Sequence, residues 1–337
     1  MHQDLQQSGY PALELMLLIR LWTVICLQRE AWSQELLPTS SEKDDWLLSQ
    51  GSQTIPVPLQ RAKKSTQILY VSAIAFKLEK ICQIPAVNIA TQILTHLGED
   101  LPVGEQTVDP SPLAIFWQNF VVTVVPPGWI QFQLLDPGLA AWLQWLVDTP
   151  LEPDQFPPDR FRSNQGTYLR QANDSSDLFE VQYAHARCCS LLRLAQQEGL
   201  IQLRQVNPFS WQISTPTPVP WLQFTSTGST AAQTCNQKGQ VGGQLRLLQP
   251  AEQLLISQLV TLLDELCCST RQRPVLKLAI ALSQAFQNFY RTCRIWGEVK
   301  ATERQLAQAR LGLVLISRSL LRFMLQDLLG VSAPEEL

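Results

Sequence analysis

Four side chains able to handle a nucleobase or a phosphate fall together in the segment Val181-Gln182-Tyr183-Ala184-His185-Ala186-Arg187. Tyr183 and Arg187 are four apart and Gln182 and His185 three apart, so on a helix they occupy neighbouring parts of one surface. Ala184 and Ala186 are small enough to allow close approach. A tyrosine ring can stack on an unpaired base, an arginine can stack or grip a phosphate, and a glutamine can read a base edge. Phe286-Gln287-Asn288-Phe289-Tyr290-Arg291 repeats the theme: Phe286, Phe289 and Tyr290 share a face that reads as core with Tyr290 at its margin, while Arg291 and Arg294 form an exposed pair. Aromatics interleaved with bases at helical spacing suit single-stranded RNA loops better than a DNA groove. The same pattern also suits a polar face beside a core stripe.

Signatures of catalysis are missing. The chain has no G-x-S-x-G elbow, no G-x-G-x-x-G between a strand and a helix, and no H-E-x-x-H; Gly239-Gln240-Val241-Gly242-Gly243 lacks the Lys-Ser/Thr of a phosphate loop. His2, His96 and His185 are too dispersed for a metal cluster, and His185 has no evident catalytic partner. None of the eight cysteines is spaced C-x-x-C, and the adjacent pairs Cys188-Cys189 and Cys267-Cys268 read as buried, reduced thiols. The expectation is no catalytic residue, no metal and no cofactor.

Charge is distributed unevenly. Residues 1–180 hold 11 Lys/Arg and 20 Asp/Glu, residues 181–322 hold 15 and 6, and the last 15 add three acids, which gives the overall −3. Within 271–322, ten bases (Arg271, Arg273, Lys277, Arg291, Arg294, Lys300, Arg304, Arg310, Arg318, Arg322) face two acids, Glu298 and Glu303. That is the footprint of a polyanion binder if the bases gather on one face, and of a solvated scaffold if they scatter. The most apolar stretch, Pro11 to Leu27, is interrupted by Glu14 and Arg20 and lacks a small-residue cleavage site, so neither a membrane span nor a signal peptide is expected. The expected location is cytoplasmic.

The elements that must carry these residues divide the chain into zones. Residues 1–55 are an extension with an apolar helical piece, Leu13 to Leu27. Residues 56–147 mix helix and strand: helical spacing runs from Leu69 to Leu97 with Pro85 opening a second helix, Phe120 to Val125 and Trp129 to Leu134 flank the turn Pro126-Pro127-Gly128, and Gly138 to Val147 closes the module. Residues 148–178 are a proline-rich connector. Residues 179–337 are almost wholly helical, with a surface loop insert at about 206–248, helices from Pro250, Pro274 and Ala301, and Gly330 at the end of the last. The fold class expected is mainly α: a small N-terminal α/β (α+β) module followed by a C-terminal all-α helical bundle.

At these residues the sequence resembles arginyl-tRNA synthetase. Phe179 to Arg187 is similar to the start of that family's C-terminal anticodon-binding helical domain, the DALR domain. The similarity continues, in the family's order, through Leu276 to Tyr290 (LKLAIALSQAFQNFY), Gln308 to Leu313 and the tail Leu328 to Glu336. Pro56 to Leu59, Ala75 to Leu78 and Pro127 to Phe132 resemble the synthetase's N-terminal additional domain, which contacts the tRNA elbow. The resemblance implies that Gln182, Tyr183, His185 and Arg187 line an RNA surface, that Arg291, Arg294 and Arg310 contact phosphates, and that Trp129, Gln131 and Gln133 face the elbow. The family's ATP and amino-acid site lies between the two modules and is marked by H-I-G-H and K-M-S-K-S. Neither signature occurs, and the 31 residues of 148–178 cannot hold that domain when one βαβ unit already needs roughly 30. The resemblance therefore implies a non-catalytic paralogue that binds tRNA, arginine tRNA included, or a tRNA-like RNA, rather than an arginine-tRNA ligase. The alternatives are a protein-interaction scaffold, or an accessory subunit serving a catalytic chain in trans.

Overall fold

In the computed structural model the described residues are 12–34, 57–62, 67–99, 116–151, 175–207, 210–224, 243–267 and 274–337. Beyond residue 12 the chain forms two compact units, Leu13–Leu135 and Asp136–Leu337.

In the first unit, helix α1 (Leu13–Gln34) buries Leu13, Leu17, Leu21 and Val24, one residue per turn, against strand β1 (Leu59–Arg61) and helix α3 (Ala86–Glu99). Trp32 Nε1 donates to Gln92 Oε1 at 2.6 Å and Arg20 reaches the Leu97 carbonyl at 3.3 Å. The described part of the extension is thus built into the core of this unit. Strand β2 (Leu69–Ser72), β3 (Phe120–Val125) and β4 (Trp129–Leu134) complete an antiparallel sheet of order β1-β2-β4-β3. The helical run expected from Leu69 begins only at Ile74, with α2 (Ile74–Cys82). Tyr70 and Val71 suit a pleated surface, and the pairing of β2 with both β1 and β4 overrides the helical spacing. Pro85 precedes α3, and the β3–β4 turn brings Gly128 against it: a Cβ on Gly128 would lie 2.7 Å from that of Ala86. Strand alternation places Ile130, Phe132 and Leu134 inward and Trp129, Gln131 and Gln133 on the opposite face.

The second unit begins with α4 (Asp136–Asp148), the helix that the sequence reading assigns to the close of the first module. Its packing partners are the strands of the insert and the long C-terminal helix, so the structure groups it with them. Next come α5 (Ser175–Gln197), the hairpin β5 (Gln202–Asn207) and β6 (Ser210–Thr215), the short pair β7 (Leu222–Gln223) and β8 (Gln244–Leu245), α6 (Pro250–Cys267), α7 (Val275–Thr292), α8 (Glu298–Thr302) and α9 (Arg304–Phe323), which runs into a π-helical turn (Met324–Leu328). The single helix expected from Ala301 is thus broken at Glu303, whose φ of −125° and ψ of 49° are not helical. The described part of the insert is not loop: its strands pair, and Gln144 Oε1 on α4 accepts from Val219 N at 2.8 Å and Trp221 Nε1 at 3.0 Å. Trp221 lies against Gly312 on α9, where a Cβ would sit 2.3 Å from the indole.

Helix α9 is buried on nearly all sides and packs against α5, α6 and α7. Arg310, 5% exposed, donates through Nε to Glu252 Oε1 at 2.6 Å and through Nη1 to the Arg294 carbonyl, while Glu252 Oε2 accepts from Gln249 N at 2.8 Å. After the π turn, Gly330 takes a φ of +68°, which L side chains disfavour, and turns the chain back along α5. There Gln182 Nε2 donates to the Ser332 carbonyl at 3.0 Å, His185 Nδ1 to the Pro334 carbonyl at 2.8 Å, and Arg193 pairs with Glu335 and with Glu336. Burial, opposed in part by the bond to Pro334, lowers the His185 pKa to about 4, so the ring is neutral near pH 7.

Three outcomes are expected. Gly312→Ala should lose about 1–3 kcal/mol of unfolding free energy in urea, because the indole has nowhere to move without vacating its bond to Gln144. Glu252→Ala should cost about 3–5 kcal/mol by leaving the Arg310 guanidinium buried without its counter-charge. The unfolded His185 binds a proton that the folded one refuses, so stability should fall as pH drops from 6.5 toward 4, by roughly 3 kcal/mol for this group. A urea-midpoint profile of His185→Gln should lack that component; a slope equal to wild type would refute the assignment.

Candidate nucleic-acid interface

Helix α5 sets the site because its inner face is decided by Val181, Ala184, Cys188, Leu191, Leu192 and Ala195, all buried. The turn between those positions points outward at Phe179 and Tyr183. These two rings are 56% and 47% exposed and stack on each other, with centroids 6.3 Å apart and planes at 27°. Two large aromatics held parallel in solvent form a ready platform for a further flat ring. One turn on, the half-buried Arg187 crosses to α7, its guanidinium 4.7 Å over the Tyr290 ring and its Nη2 donating to the Tyr290 hydroxyl. Tyr290 in turn stacks on Phe286 at 6.5 Å and 17°. The guanidinium is thereby oriented by packing, and one nitrogen, Nε, is buried without a hydrogen bond among the described residues. Arg291 and Arg294 are exposed, with no side-chain bond to any described residue.

Several expected site residues lie elsewhere. His185 is 1% exposed, held by Pro334 and facing Cys189 Sγ at 3.8 Å, so it belongs to the core rather than to the surface assigned to it. Arg310 likewise turns inward to Glu252 and presents no cation to a phosphate; an arginine on a helix buried all round has no solvent-facing direction available. Gln182 stays at the surface, but its amide is engaged by Ser332. In the first unit Trp129, Gln131 and Gln133 do share the face of β4 away from the core. Trp129 is 41% exposed and edge-on to Phe76 at 5.2 Å, Gln131 lies between Val71 and Thr123, and Gln133 bonds Gln67 at 2.9 Å.

Of the basic run, Arg271 and Arg273 lie outside the described residues, and the rest divide. Arg310 and Arg318 are buried, Arg322 pairs with Asp327, Lys300 pairs with Glu198, and Arg304 donates to the Gly199 carbonyl. Lys277, Arg291 and Arg294 remain exposed. The described bases of the run therefore do not form one face. Spacing does not mark Phe179 or Tyr290 as site residues. Phe179 sits one helical turn before Tyr183, a signal present in the sequence, whereas the pairing of Tyr290 with Arg187 joins residues 103 apart. Burial pushes the Cys188 thiol well above its ordinary range, which makes it inert. The arrangement can stack and attract; the Cys189–His185 contact is sealed in the core, where burial raises the thiol's pKa, and none of the described His, Cys, Asp and Glu side chains cluster to hold a metal. No described helix is long and apolar enough to cross a membrane.

Comparison with known proteins locates this unit among relatives. Residues 230–337 match the DALR anticodon binding domain. The arginine–tRNA ligase of Synechococcus sp. (strain JA-3-3Ab) is 31% identical over 172 residues, 50% of this chain and 23% of that protein. The arginine–tRNA ligase of Pelodictyon phaeoclathratiforme is 33% identical over 171 residues, and that of Heliobacterium modesticaldum 31% over 172, in each case 50% of this chain and 24% of the relative. The similarity thus spans about a quarter of the length of these relatives. No solved structure matches the chain. Residues 230–337 of the C-terminal unit thus match the DALR anticodon binding domain, and about half of the chain is similar to arginine–tRNA ligases.

Proposed function

We propose that the chain is a non-catalytic, cytoplasmic tRNA-binding protein related to arginine–tRNA ligase, holding a tRNA or tRNA-like loop on the outer face of α5. The observation that carries this reading is the exposed Phe179–Tyr183 stack beside the Arg187–Tyr290 pair, in a unit whose residues 230–337, Tyr290 among them, match an anticodon binding domain. An unpaired base would stack on Tyr183, and Arg187, Arg291 and Arg294 would supply positive charge to the strand that presents it. Trp129, Gln131 and Gln133, together on one sheet face, are the residues proposed to meet the tRNA elbow. Loss of catalysis is inferred from the sequence: only the 40 residues 135–174, α4 among them, separate β4 from α5, too few for a catalytic domain when one βαβ unit needs roughly 30, and neither synthetase signature occurs. Arginine tRNA is the first RNA to try. The inward cations Arg310 and Arg318 favour a second reading, a scaffold or an accessory subunit for a separate catalytic chain; copurification with a synthetase would identify it.

Purified protein should bind unfractionated tRNA and arginine tRNA with an affinity that weakens as salt rises. Tyr183→Ala should cost about 1–3 kcal/mol of binding, the range of one stacked base, and Arg187→Ala should weaken binding as well. If wild type and both variants alike fail to bind at low salt, the RNA reading is wrong. With ATP, arginine and tRNA supplied, no arginyl-tRNA should form; its formation would overturn the non-catalytic assignment.

A further inference from the structure

The outward face of α7 carries a polar stripe of which the proposed anticodon-loop site uses only Arg291. Lys277, Gln284, Asn288 and Arg291 are exposed, and with Ala281 they fall at spacings of four, three, four and three residues, so they run down one side of the helix. From Lys277 to Arg291 the stripe is about 21 Å long at a rise of ~1.5 Å per residue. No acid occurs anywhere from Val275 to Arg294. The other surface cations of this unit are largely spoken for: Arg193 by Glu335 and Glu336, Lys300 by Glu198, Arg304 by the Gly199 carbonyl, Arg204 by Gln212 and Arg246 by Gln305. Lys277, Arg291 and Arg294 alone among these make no side-chain bond to a described residue. A helix that solvates itself with both signs of charge gains intrahelical pairs. One that excludes acids and leaves its cations at its ends, with amides between, instead presents a row of donors to an anionic chain.

We infer that this stripe tracks the sugar-phosphate backbone of an RNA strand leading away from the Tyr183–Arg187 platform. Lys277 and Arg291 bind phosphates, and Gln284 and Asn288 donate to phosphate or ribose oxygens. Tyr290 and Arg291 are adjacent, so the strand passes from base stacking to phosphate tracking within one turn. This inference rests on the RNA-binding reading, and a salt series separates the two. With poly(U) as probe, Lys277→Ala/Arg291→Ala should reduce the slope of log affinity against log salt by about 1.4, since each single-strand phosphate that a cation neutralises contributes roughly 0.7. Tyr183→Ala should lower affinity with the slope unchanged. Gln284→Glu/Asn288→Glu, checked for helix content by circular dichroism, should weaken poly(U) binding by about tenfold or more through repulsion along the strand. Wild-type slope in the first variant, or wild-type affinity in the last, overturns the stripe while leaving the platform intact. Polyglutamate displacing poly(U) as effectively as free poly(U) would mean that the face reads negative charge alone and would overturn the assignment to RNA. Absence of any wild-type binding at low salt overturns both readings.

Discussion

The Arg310–Glu252 pair joins three helices at one buried point, and the C-terminal unit is organised around it. Arg310 comes from α9, Glu252 from the first turn of α6, and the carbonyl that takes the second guanidinium bond from Arg294, just past α7. Two opposite charges withdrawn from water tolerate each other only when geometry and additional hydrogen bonds are good, and Glu252 meets that condition by also accepting the Gln249 amide that precedes its helix. The pair thereby ties specific positions of α6, α9 and the chain just past α7 to one another. Around it α9 is apolar on almost every side. The indole of Trp221 fits over Gly312, which ties the insert to the bundle.

The candidate interface follows from that arrangement. With α9 holding α5 on one side, the inner face of α5 is committed to Val181, Ala184, Cys188 and Leu192, and the returning tail takes Gln182, His185 and Arg193. What is left to solvent is the narrow strip of Phe179 and Tyr183, and beside it the Arg187–Tyr290 contact with α7. Aromatic side chains are normally drawn into a core; a stacked pair left in solvent is an apolar patch shaped for a flat, polar-edged partner. The cations nearest in sequence to Tyr290 are free of acids, so attraction and stacking adjoin on one helix.

Much of the fold could be read from pattern. The alternation of Trp129 to Leu134 predicts a strand with glutamines on one face, and that is what β4 shows. Pro85 marks the start of α3, and Gly330 takes the left-handed turn after the last helix. Pattern and structure part where two influences compete. Leu69 to Ser72 satisfies helical spacing but is paired on both edges, and the sheet's hydrogen bonds prevail. The insert's prolines and polar residues read as loop, yet Trp221 and Ile213 bury themselves and its backbone pairs.

The site divides in the same way. Spacing in the chain establishes that Gln182, Tyr183, His185 and Arg187 crowd one stretch of helix, since three- and four-residue separations are a local consequence of 3.6 residues per turn. It says nothing of which azimuth meets the bundle. A rotation of some 100° per residue separates the exposed Tyr183 from the buried Ala184 and His185, and that angle is set by what α9, α7 and the tail press against α5. Arg310 makes the same point from the other side: its charge suggests a phosphate, but its helix has no free face, and the carboxylate that receives it lies 58 residues away in sequence. Local periodicity specifies neighbours, whereas burial and long-range pairing assign each neighbour to solvent or to core.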